Sequence, residues 1–587
     1  MKMGTDIRCK GLLFLVVIAI PVCASAQVSQ TDPWTGEAGS GATGMQPHSG
    51  SPADTESVSH AGEGKLLQFK SLTTIVQVPV VVTDKAGEHI HGLTKADFKV
   101  LENGKPQNIA NFEEVIPAVG TQPVAVGSAG TFTNTNPDDD KPRALTVVLL
   151  DEVNTPFLSQ SYAREQLVKY LASHLQPSQP LGLMALTEKG LAILSGFDTD
   201  PQTLMAALKK ASGHVSTMET FNNDAQAVAA TGDAPKGVGY GISMGDSPDV
   251  VIQRFILRQS AVAGTYTQAR AIETTLRALL EIAWSMSGTP GRKSLVWVTG
   301  SFPFYLDSFT SVPGDNGLRA LYERTLQALN DAQISIYPVD ARGVLTDPTF
   351  SGENTGSLLP ADASGSLQQS SINSLKTIAA MTGGIAYYNT NDLSGAFGRA
   401  VQDSSSYYLL TYYLDHRDNK VGWRKLQVEV SRKDAEVRAR AGFLVTNVSA
   451  NPQLTQKADL DLALNSPFES TGIAIAERWE GLMAKGPKKE VGFVLRVPAN
   501  GLIDEADKNY VDLEFVSQAA SKGAIAGTVS QAFKGTIVPE TLAKLKRDGV
   551  VYRNFFDLAP GDYQVHFVVR DNLSGKVGSL IVPLTVF

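Results

Sequence analysis

Residues 146–155 read TVVLLDEVNT, and this stretch decides the fold. A continuous apolar run is followed at once by the polar residues Asp151, Glu152, Asn154 and Thr155. Such a run is typical of a strand in a parallel sheet that is covered on both faces. Ligands of these sheets bind beyond the carboxyl ends of the strands. The stretch therefore predicts a buried central strand that ends at a candidate binding site.

Apolar strands and helical patterns alternate on the C-terminal side of this stretch. LGLMALTE, KSLVWVTG and QISIYPVD predict strands, whereas SYAREQLVKYLASHL and GLRALYERTLQALNDA predict helices. This alternation predicts an α/β doubly wound fold with helices on both faces of the sheet. We assign residues 143–414 to it, with an insertion over 212–250, and we include GIAYYN and YYLLTYYL among its strands.

Two segments rich in strands flank the alternating region. Residues 66–116 contain the dipeptide Asn103-Gly104, which is a strong hairpin signal, and residues 415–446 contain a second set of strands. Each segment alone has too few strands for a stable sheet structure. We therefore predict that the two segments pair in one β-sandwich, into which the α/β domain is inserted.

Two further segments after residue 116 are predicted to be a linker and a separate domain. Residues 117–142 are predicted to be a linker because they lack strand or helix periodicity. Residues 452–587 contain strands such as EVGFVLRVP and GDYQVHFVVRD, and they predict a separate C-terminal β-sandwich.

The N-terminal segment predicts export. Residues 1–26 have a basic head, the apolar block GLLFLVVIAI and a small-residue end at Ala26, as in a secretory signal peptide. Both cysteines, Cys9 and Cys23, lie in this peptide, so the mature chain would lack disulfides and thiolate zinc sites. Residues 27–65 are rich in Gly, Ser and Thr and predict a flexible linker.

The charge and the hydropathy of the chain limit where in the cell the protein can be located and which classes of partner it can bind. The signal peptide carries three basic residues and one acid, so its removal takes the formal net charge from −8 to −10. The absence of a strong basic run argues against nucleic acid as a partner. No later stretch is long and apolar enough for a transmembrane helix. We expect an exported protein, periplasmic or extracellular, that does not span the membrane after cleavage.

A family resemblance rests on several short pieces. They are VVVTDKAGEHIHGLTKADFKVLENGKPQNIANFEE, VVLLDEVNT, PGRKSLVWVTGSFP, ISIYPVDARG, IAAMTGGIAYYN, and YYLLTYYLD followed by VRARAGF. Residues 144–414 resemble a von Willebrand factor A domain, and the mature chain is similar to the bacterial VWFA-related proteins first named from acidobacteria. The resemblance implies a binding or adhesion protein rather than an enzyme. Its partner would be an unidentified envelope or extracellular protein or glycan.

The resemblance also implies a metal-ion-dependent adhesion site, which this sequence matches only in part. The family pattern resembles Asp-x-Ser-x-Ser after the first strand, a Thr on a second loop and an Asp after a later strand. Asp151 and Thr155 match, and Thr274 matches the Thr, but Val153 replaces a hydroxyl and Gly300-Ser301 replaces the last Asp. Hard cations need a nearly complete oxygen shell. We therefore expect no cofactor, with at most weak Mg²⁺ or Ca²⁺ binding.

Binding is predicted at the carboxyl edge of the sheet, by Asp151, Asn154, Thr155, Ser301, Asp340 and Arg342. Asp151 would be a partner-facing acid or a weak metal ligand, and the loop from Ser301 to Phe304 an apolar contact. A simpler interpretation makes Asp151 a loop acid that accepts hydrogen bonds from backbone amides. For Asp340 and Arg342 the simpler interpretation is a local ion pair that fixes the loop.

Two other functions remain open from the sequence. An envelope hydrolase could use Asp151 and Glu152 as paired carboxylates, although neighbours at a strand end usually point apart. A structural envelope protein would use every domain for packing alone. Two short patterns resemble hydrolase motifs without supporting one. Residues 241–245 read Gly-Ile-Ser-Met-Gly, but no strand pattern precedes them as a nucleophile elbow requires. Residues 88–91 read Glu-His-Ile-His, but they lie in a predicted turn, and Gly87 stands where the zinc-hydrolase pattern His-Glu-x-x-His needs a histidine.

Overall fold

The computed structural model describes residues 75–116, 130–135, 144–175, 180–211, 268–301, 316–344, 361–403, 406–414, 422–445, 452–498 and 510–587. The predicted signal peptide, the predicted linker over 27–65 and the predicted insertion over 212–250 lie outside these residues. The described residues form three sets of elements: a flanking β-module, a central α/β region and a C-terminal module.

The strands are β1 (Ile75–Thr83), β2 (Phe98–Glu102), β3 (Lys105–Gln107), β4 (Ile109–Val115), β5 (Thr131–Thr133), β6 (Leu145–Asp151), β7 (Leu181–Thr187), β8 (Gly190–Asp198), β9 (Lys293–Thr299), β10 (Ile334–Asp340), β11 (Tyr407–Tyr413), β12 (Gly422–Val430), β13 (Glu436–Arg438) and β14 (Gly442–Val445). Strands β1–β4 and β11–β14 belong to the flanking module, β6–β10 to the α/β region, and β5 to the C-terminal module. The helices are α1 (Phe157–Ser173), α2 (Pro201–Lys210), α3 (268–286), α4 (Asn316–Asp331), α5 (Ala361–Thr382) and α6 (Leu393–Gln402).

The C-terminal module is mostly strand. It contains α7 (Pro452–Asn465), β15 (Ala476–Lys485), β16 (Lys488–Val497), β17 (Tyr510–Ser521), β18 (Ala524–Thr536), α8 (Pro539–Asp548), β19 (Val550–Leu558), β20 (Gly561–Asp571) and β21 (Val577–Val586).

Five strands form the central sheet, in the order β10-β9-β6-β7-β8. β6 lies in the middle, parallel to β7 and β9, and β10 is parallel to β9, whereas β8 is an antiparallel edge strand. The predicted strand GIAYYN is reduced to a single parallel bridge between Tyr387 and Val339. Gly384 lies so close to the Ile336 carbonyl that a Cβ there would be 2.0 Å from the oxygen, and only glycine allows this approach.

Helices pack on both faces of the central sheet. Successive side chains of a strand point to opposite faces, and β6 obeys this rule. Val147 and Leu149 pack with residues of α3, α4 and α5, whereas Val148 and Leu150 pack with residues of α1, α2 and α6. Burial of one such side chain contributes roughly 1.5–3 kcal/mol. β6 is thus held on both sides, and its carboxyl end has a fixed position.

The flanking module has two four-stranded sheets, β13-β1-β11-β4 and β14-β12-β2-β3, around one apolar core. β12 pairs with β2, and β13 pairs with β1, so the segments before and after the α/β region lie side by side. The assignment of YYLLTYYL to the α/β sheet is wrong, because this strand, β11, pairs with β1 and β4. Its alternating side chains predict a half-buried strand, but alternation does not say which sheet the strand joins.

The C-terminal module also has two sheets, β19-β16-β15-β5 and β18-β17-β20-β21, which share a core of residues such as Phe493 and Phe567. β5 comes from the segment predicted to be a linker, and it pairs with β15. The neighbouring Asn134 is buried, donates to the carbonyls of Ser470 (2.7 Å) and Ile473 (2.9 Å), and accepts from the Ile475 N–H (2.8 Å). The module is therefore not built from residues 452–587 alone.

The α/β region and the C-terminal module meet through α7. Leu280 and Trp284 of α3 pack with Leu460 of α7 and with Val568 of β20. Asp459, also on α7 and buried, forms ion pairs with Arg570 of β20 and with Arg324 of α4. These contacts give the two parts a shared interface of apolar and ion-paired side chains, which holds α3 from the side away from the sheet.

A buried ion pair lies between the α/β region and the flanking module. The Arg292 guanidinium, just before β9, donates to the Asp403 carbonyl (2.9 Å), to the Tyr337 hydroxyl (2.7 Å) and to the Asp403 carboxylate (3.3 Å). Arg438 of β13 pairs with the same carboxylate. Burial alone would raise the pKa of Asp403, but Arg292 and Arg438 hold it below its usual value. One carboxylate thus ties the two bodies together.

We expect Asp403→Asn to lower the free energy of unfolding by about 3–5 kcal/mol, because it leaves the Arg292 guanidinium buried without a counter-charge. Urea unfolding of the full chain checks this. Glu429→Gln is the matched control, since it removes an exposed pair with Lys99 (3.2 Å) that should contribute about 0–1 kcal/mol. Equal effects of the two substitutions would contradict the assignment.

A second buried carboxyl, Glu477 of β15, has no hydrogen-bond partner at either oxygen among the described residues and is fully buried. Burial raises its pKa to about 8. The folded chain therefore keeps a proton that the unfolded chain loses near its ordinary pKa of about 4.3. Between these two values, each rise of one pH unit removes up to about 1.4 kcal/mol of stability.

Glu477→Gln should remove this pH dependence, because glutamine has the same shape and no charge. The melting temperatures of the variant and the wild type should lie close together at about pH 4, where both states of the wild type are protonated. They should diverge up to about pH 8, with the variant the more stable. Thermal unfolding across this range measures the effect, and a constant difference at all pH values would rule it out.

Candidate functional site

The end of β6 forms a turn around the Asp151 carboxylate. Its Oδ1 accepts hydrogen bonds from the backbone N–H groups of Val153 (3.1 Å) and Asn154 (2.9 Å). An aspartate that bonds backbone amides two and three residues ahead favours a turn over continued strand. The Glu152 N–H still donates to the Leu186 carbonyl of β7, so the chain leaves the sheet directly afterwards.

The other carboxylate oxygen faces β9. Asp151 Oδ2 accepts hydrogen bonds from the Trp297 indole N–H (3.1 Å), the Thr299 hydroxyl (2.9 Å) and the Asn154 side-chain amide (2.8 Å). Sequence reasoning identified neither Trp297 nor Thr299 as a site residue, although Trp297 is also a fully buried core residue. The signal is the register: Leu149 pairs with Trp297 and Leu150 with Val298, so the next pair along is Asp151 and Thr299.

The threonine that reaches this cluster is Thr275, and the prediction of Thr274 was one residue off. The Asn154 amide donates to the Thr275 hydroxyl (2.8 Å), which donates to the Ala271 carbonyl one turn back along α3. Neighbours on a helix point about 100° apart, so only one of the two threonines faces the sheet. Thr275 is fully buried, and Thr274 is only partly buried.

Thr155 and Gly300 hold the loop after β6 against the loop after β9. The Gly300 N–H donates to the Thr155 hydroxyl (2.9 Å), and the Ser301 hydroxyl donates to the Asn154 carbonyl (3.4 Å). A Cβ on Gly300 would lie 2.8 Å from Pro156 Cδ and 3.0 Å from the Asn154 carbonyl oxygen. The two loops are thus in direct contact, and any side chain at position 300 would separate them.

The remaining predicted pair lies at the end of β10. Arg342 donates from Nε and Nη2 to the two oxygens of Asp340 (2.9 and 2.7 Å), and Asp340 is fully buried. The prediction of a local ion pair that fixes this loop is confirmed. Bidentate geometry of this kind holds the arginine in one orientation.

Burial excludes the role of Asp151 as a partner-facing acid. Asp151, Asn154 and Thr155 are each at most 3% exposed, because they turn inward to satisfy backbone and side-chain donors. The turn brings the Asn154 amide back onto Asp151. Residues 302–304 of the predicted apolar loop lie outside the described residues.

Apolar side chains, rather than the acids, are exposed at this edge. Leu158 and Phe157, in the first turn of α1, are 77% and 38% exposed, and Val344 is 55% exposed. The Tyr162 hydroxyl donates to the Asn391 carbonyl, and the Val344 N–H donates to the Asn391 side chain (3.0 Å), which links the two places. We call Phe157, Leu158 and Val344 the apolar rim.

The hydrolase hypothesis needs a carboxyl pair that a substrate can reach. Asp151 and Glu152 are both buried. Burial raises the pKa of Asp151, although five donors surround it. The cavity beside them, lined by residues such as Gln160 and Arg164, has a volume of about 10 Å³, which holds about one water. The geometry gives a substrate no access to the two acids.

The same contacts determine whether Asp151 and its neighbours are able to bind a divalent metal ion. A carboxylate offers about four lone-pair positions, and five donors already share those of Asp151. The Thr155 hydroxyl accepts from Gly300, and Thr275 replaces Thr274. Within the described residues, no group of three or more His, Cys, Asp or Glu is placed to hold a metal ion. The residues present do not fit a hard divalent cation.

Solved structures similar to this chain include von Willebrand factor A domains, at low identity and low TM-score. No protein-family model and no curated protein matches it. An aerotolerance-related membrane protein from Bacteroides fragilis NCTC 9343 is 10% identical, with a TM-score of 0.21 over 44% of this chain and 98% of that one. The SpRpn10 VWA domain is 12% identical, with a TM-score of 0.14 over 33% of this chain and 88% of that one.

A third solved structure covers more of the chain. The ArnB paralog VWA2 from Sulfolobus acidocaldarius is 7% identical, with a TM-score of 0.20 over 88% of this chain and 76% of that one. The strand order and the contacts described above, rather than these distant likenesses, define the architecture.

Gly300→Ala should move the loop after β9 away from Thr155 and destabilise the chain by about 1–3 kcal/mol, because overpacked sites force backbone shifts. Thermal unfolding measures the loss. Gly196→Ala is the matched control, since a Cβ there meets nothing within 4 Å. An unchanged melting temperature for Gly300→Ala would show that the two loops are not locked.

Proposed function

We propose that this chain is an exported binding protein whose α/β region is a von Willebrand factor A-type domain. The domain would hold a protein partner at the carboxyl edge of the central sheet. The order β8-β7-β6-β9-β10 puts the start of the chain's α/β region at the centre of the sheet, where strand order reverses. Binding sites of open α/β sheets lie at this reversal.

The observation that carries the proposal is the exposure of Leu158. Large apolar side chains on a rigid edge are typical anchors of protein interfaces. α1 starts directly after the loop that Asp151 fixes, so Leu158 is presented by a backbone with little freedom. Leu158 and Val344 have no hydrogen-bonding side-chain groups, which favours a protein surface over a glycan as partner.

Export is proposed on the N-terminal pattern of residues 1–26. In the part of the chain that the structure describes, no helix is long and apolar enough to span a membrane. On the export pattern of residues 1–26, the partner that we propose is an envelope or extracellular protein, and the role that we propose is binding rather than catalysis.

We expect Leu158→Asp to abolish partner capture, because a charge at the centre of an apolar contact must be desolvated. Full-length protein immobilised as bait in envelope extract, with mass spectrometry of what it retains, measures this. Ile525→Asp is the matched control, since Ile525 is 65% exposed on β18 of the C-terminal module. A partner retained equally by both variants, or no specific partner at all, would refute the proposal.

A further inference from the structure

The Asp151 carboxylate is surrounded by N–H and O–H donors. Five of them lie within 3.1 Å: the backbone groups of Val153 and Asn154, and the side chains of Asn154, Trp297 and Thr299. A cation and a hydrogen-bond donor compete for the same lone pairs. A metal ion at Asp151 would have to displace several of these donors within a buried site, and the Thr299 hydroxyl would then donate only to its other acceptor, the Ser301 carbonyl (2.9 Å).

The donors cannot easily turn away. Trp297 is fully buried in the core between the sheet and α3, which fixes its indole N–H. Thr299 is also fully buried. The Asn154 amide must present N–H to Asp151, because its oxygen there would face a carboxylate oxygen at 2.8 Å, and the same nitrogen also donates to Thr275. A buried donor left without an acceptor destabilises the folded chain.

We propose that Asp151 is a metal-independent tie. Its carboxylate joins the loop after β6 to β9 directly and to α3 through Asn154, and it thereby does the organising work that a divalent cation does in the resembling adhesion sites. Partner binding at the apolar rim then needs no divalent cation. This last clause rests on the proposed function, whereas the tie itself stands on the contacts of Asp151 alone.

Thermal unfolding of the full chain tests the metal part. Mg²⁺, Mn²⁺ or Ca²⁺ at millimolar concentration should shift the melting temperature by less than about 1 °C relative to EDTA, because a cation without a site adds no binding free energy to the folded state. A rise of several degrees that Asp151→Asn abolishes would overturn the proposal.

Substitutions of the donors test the tie. Thr299→Val and Trp297→Phe each remove one donor with little change in shape, and each should lower the melting temperature by about 1–3 °C in EDTA. The double variant Asp151→Asn/Thr299→Val should fall by less than the sum of its two single variants, because both changes break the same contact. Strict additivity would overturn the proposal.

Two further measurements apply if Asp151→Asn does not fold or if the partner is in doubt. Should Asp151→Asn fail to fold, unchanged melting temperatures of both Thr299→Val and Trp297→Phe would contradict the structural role proposed for Asp151. Capture of the Leu158-dependent partner should be the same in EDTA and in Mg²⁺, and loss in EDTA would overturn metal independence. If no such partner exists, the proposed function fails, while the melting experiments still decide the role of Asp151.

Discussion

The buried Asp403 carboxylate is the contact on which the arrangement of the domains depends. It binds Arg292 at the start of β9 and Arg438 in the flanking module, two residues far apart in the chain. Two positive partners more than offset the cost of its desolvation, which is why its pKa lies below the usual value. The α/β region therefore has a fixed base, and its strands point their carboxyl ends away from the flanking module.

At the opposite end of the same sheet, Asp151 is buried with a different balance of forces. Its partners are neutral donors, so nothing cancels its charge, and desolvation raises its pKa. An acid held in this way costs stability on its own account. The loop geometry that it imposes fixes the start of α1, where Phe157 and Leu158 of the apolar rim lie.

Much of the α/β region could be predicted from the sequence, because continuous apolar runs such as residues 146–150 are characteristic of strands covered on both faces. The sheet that each strand joins could not be predicted from the sequence. β11 alternates like any half-buried strand, and its partners β1 and β4 lie about 300 residues earlier in the chain. The three-residue strand β5 is too short to produce a pattern at all.

The position of the candidate site was predicted from the sequence, but the contacts of its side chains were not. The residues at the end of β6 and β10 were identified by their position, and the Asp340–Arg342 pair by its spacing. Which of two adjacent threonines faces the sheet depends on the rotation of α3, which the sequence does not fix to better than one residue. The inward turn of Asn154 depends on the hydrogen bonds of its amide to Asp151 and to Thr275 of α3, and the second of these partners lies outside any local pattern.

The short strand β5 has a consequence for how this chain can be divided. It belongs to the C-terminal module but lies between the flanking module and the α/β region in sequence. A fragment cut at residue 452 would lack it, and the β15 edge beside Glu477 would then show unpaired backbone groups, the usual starting point for strand-to-strand aggregation. The C-terminal module therefore cannot be separated intact from the preceding regions by a single cut in the chain.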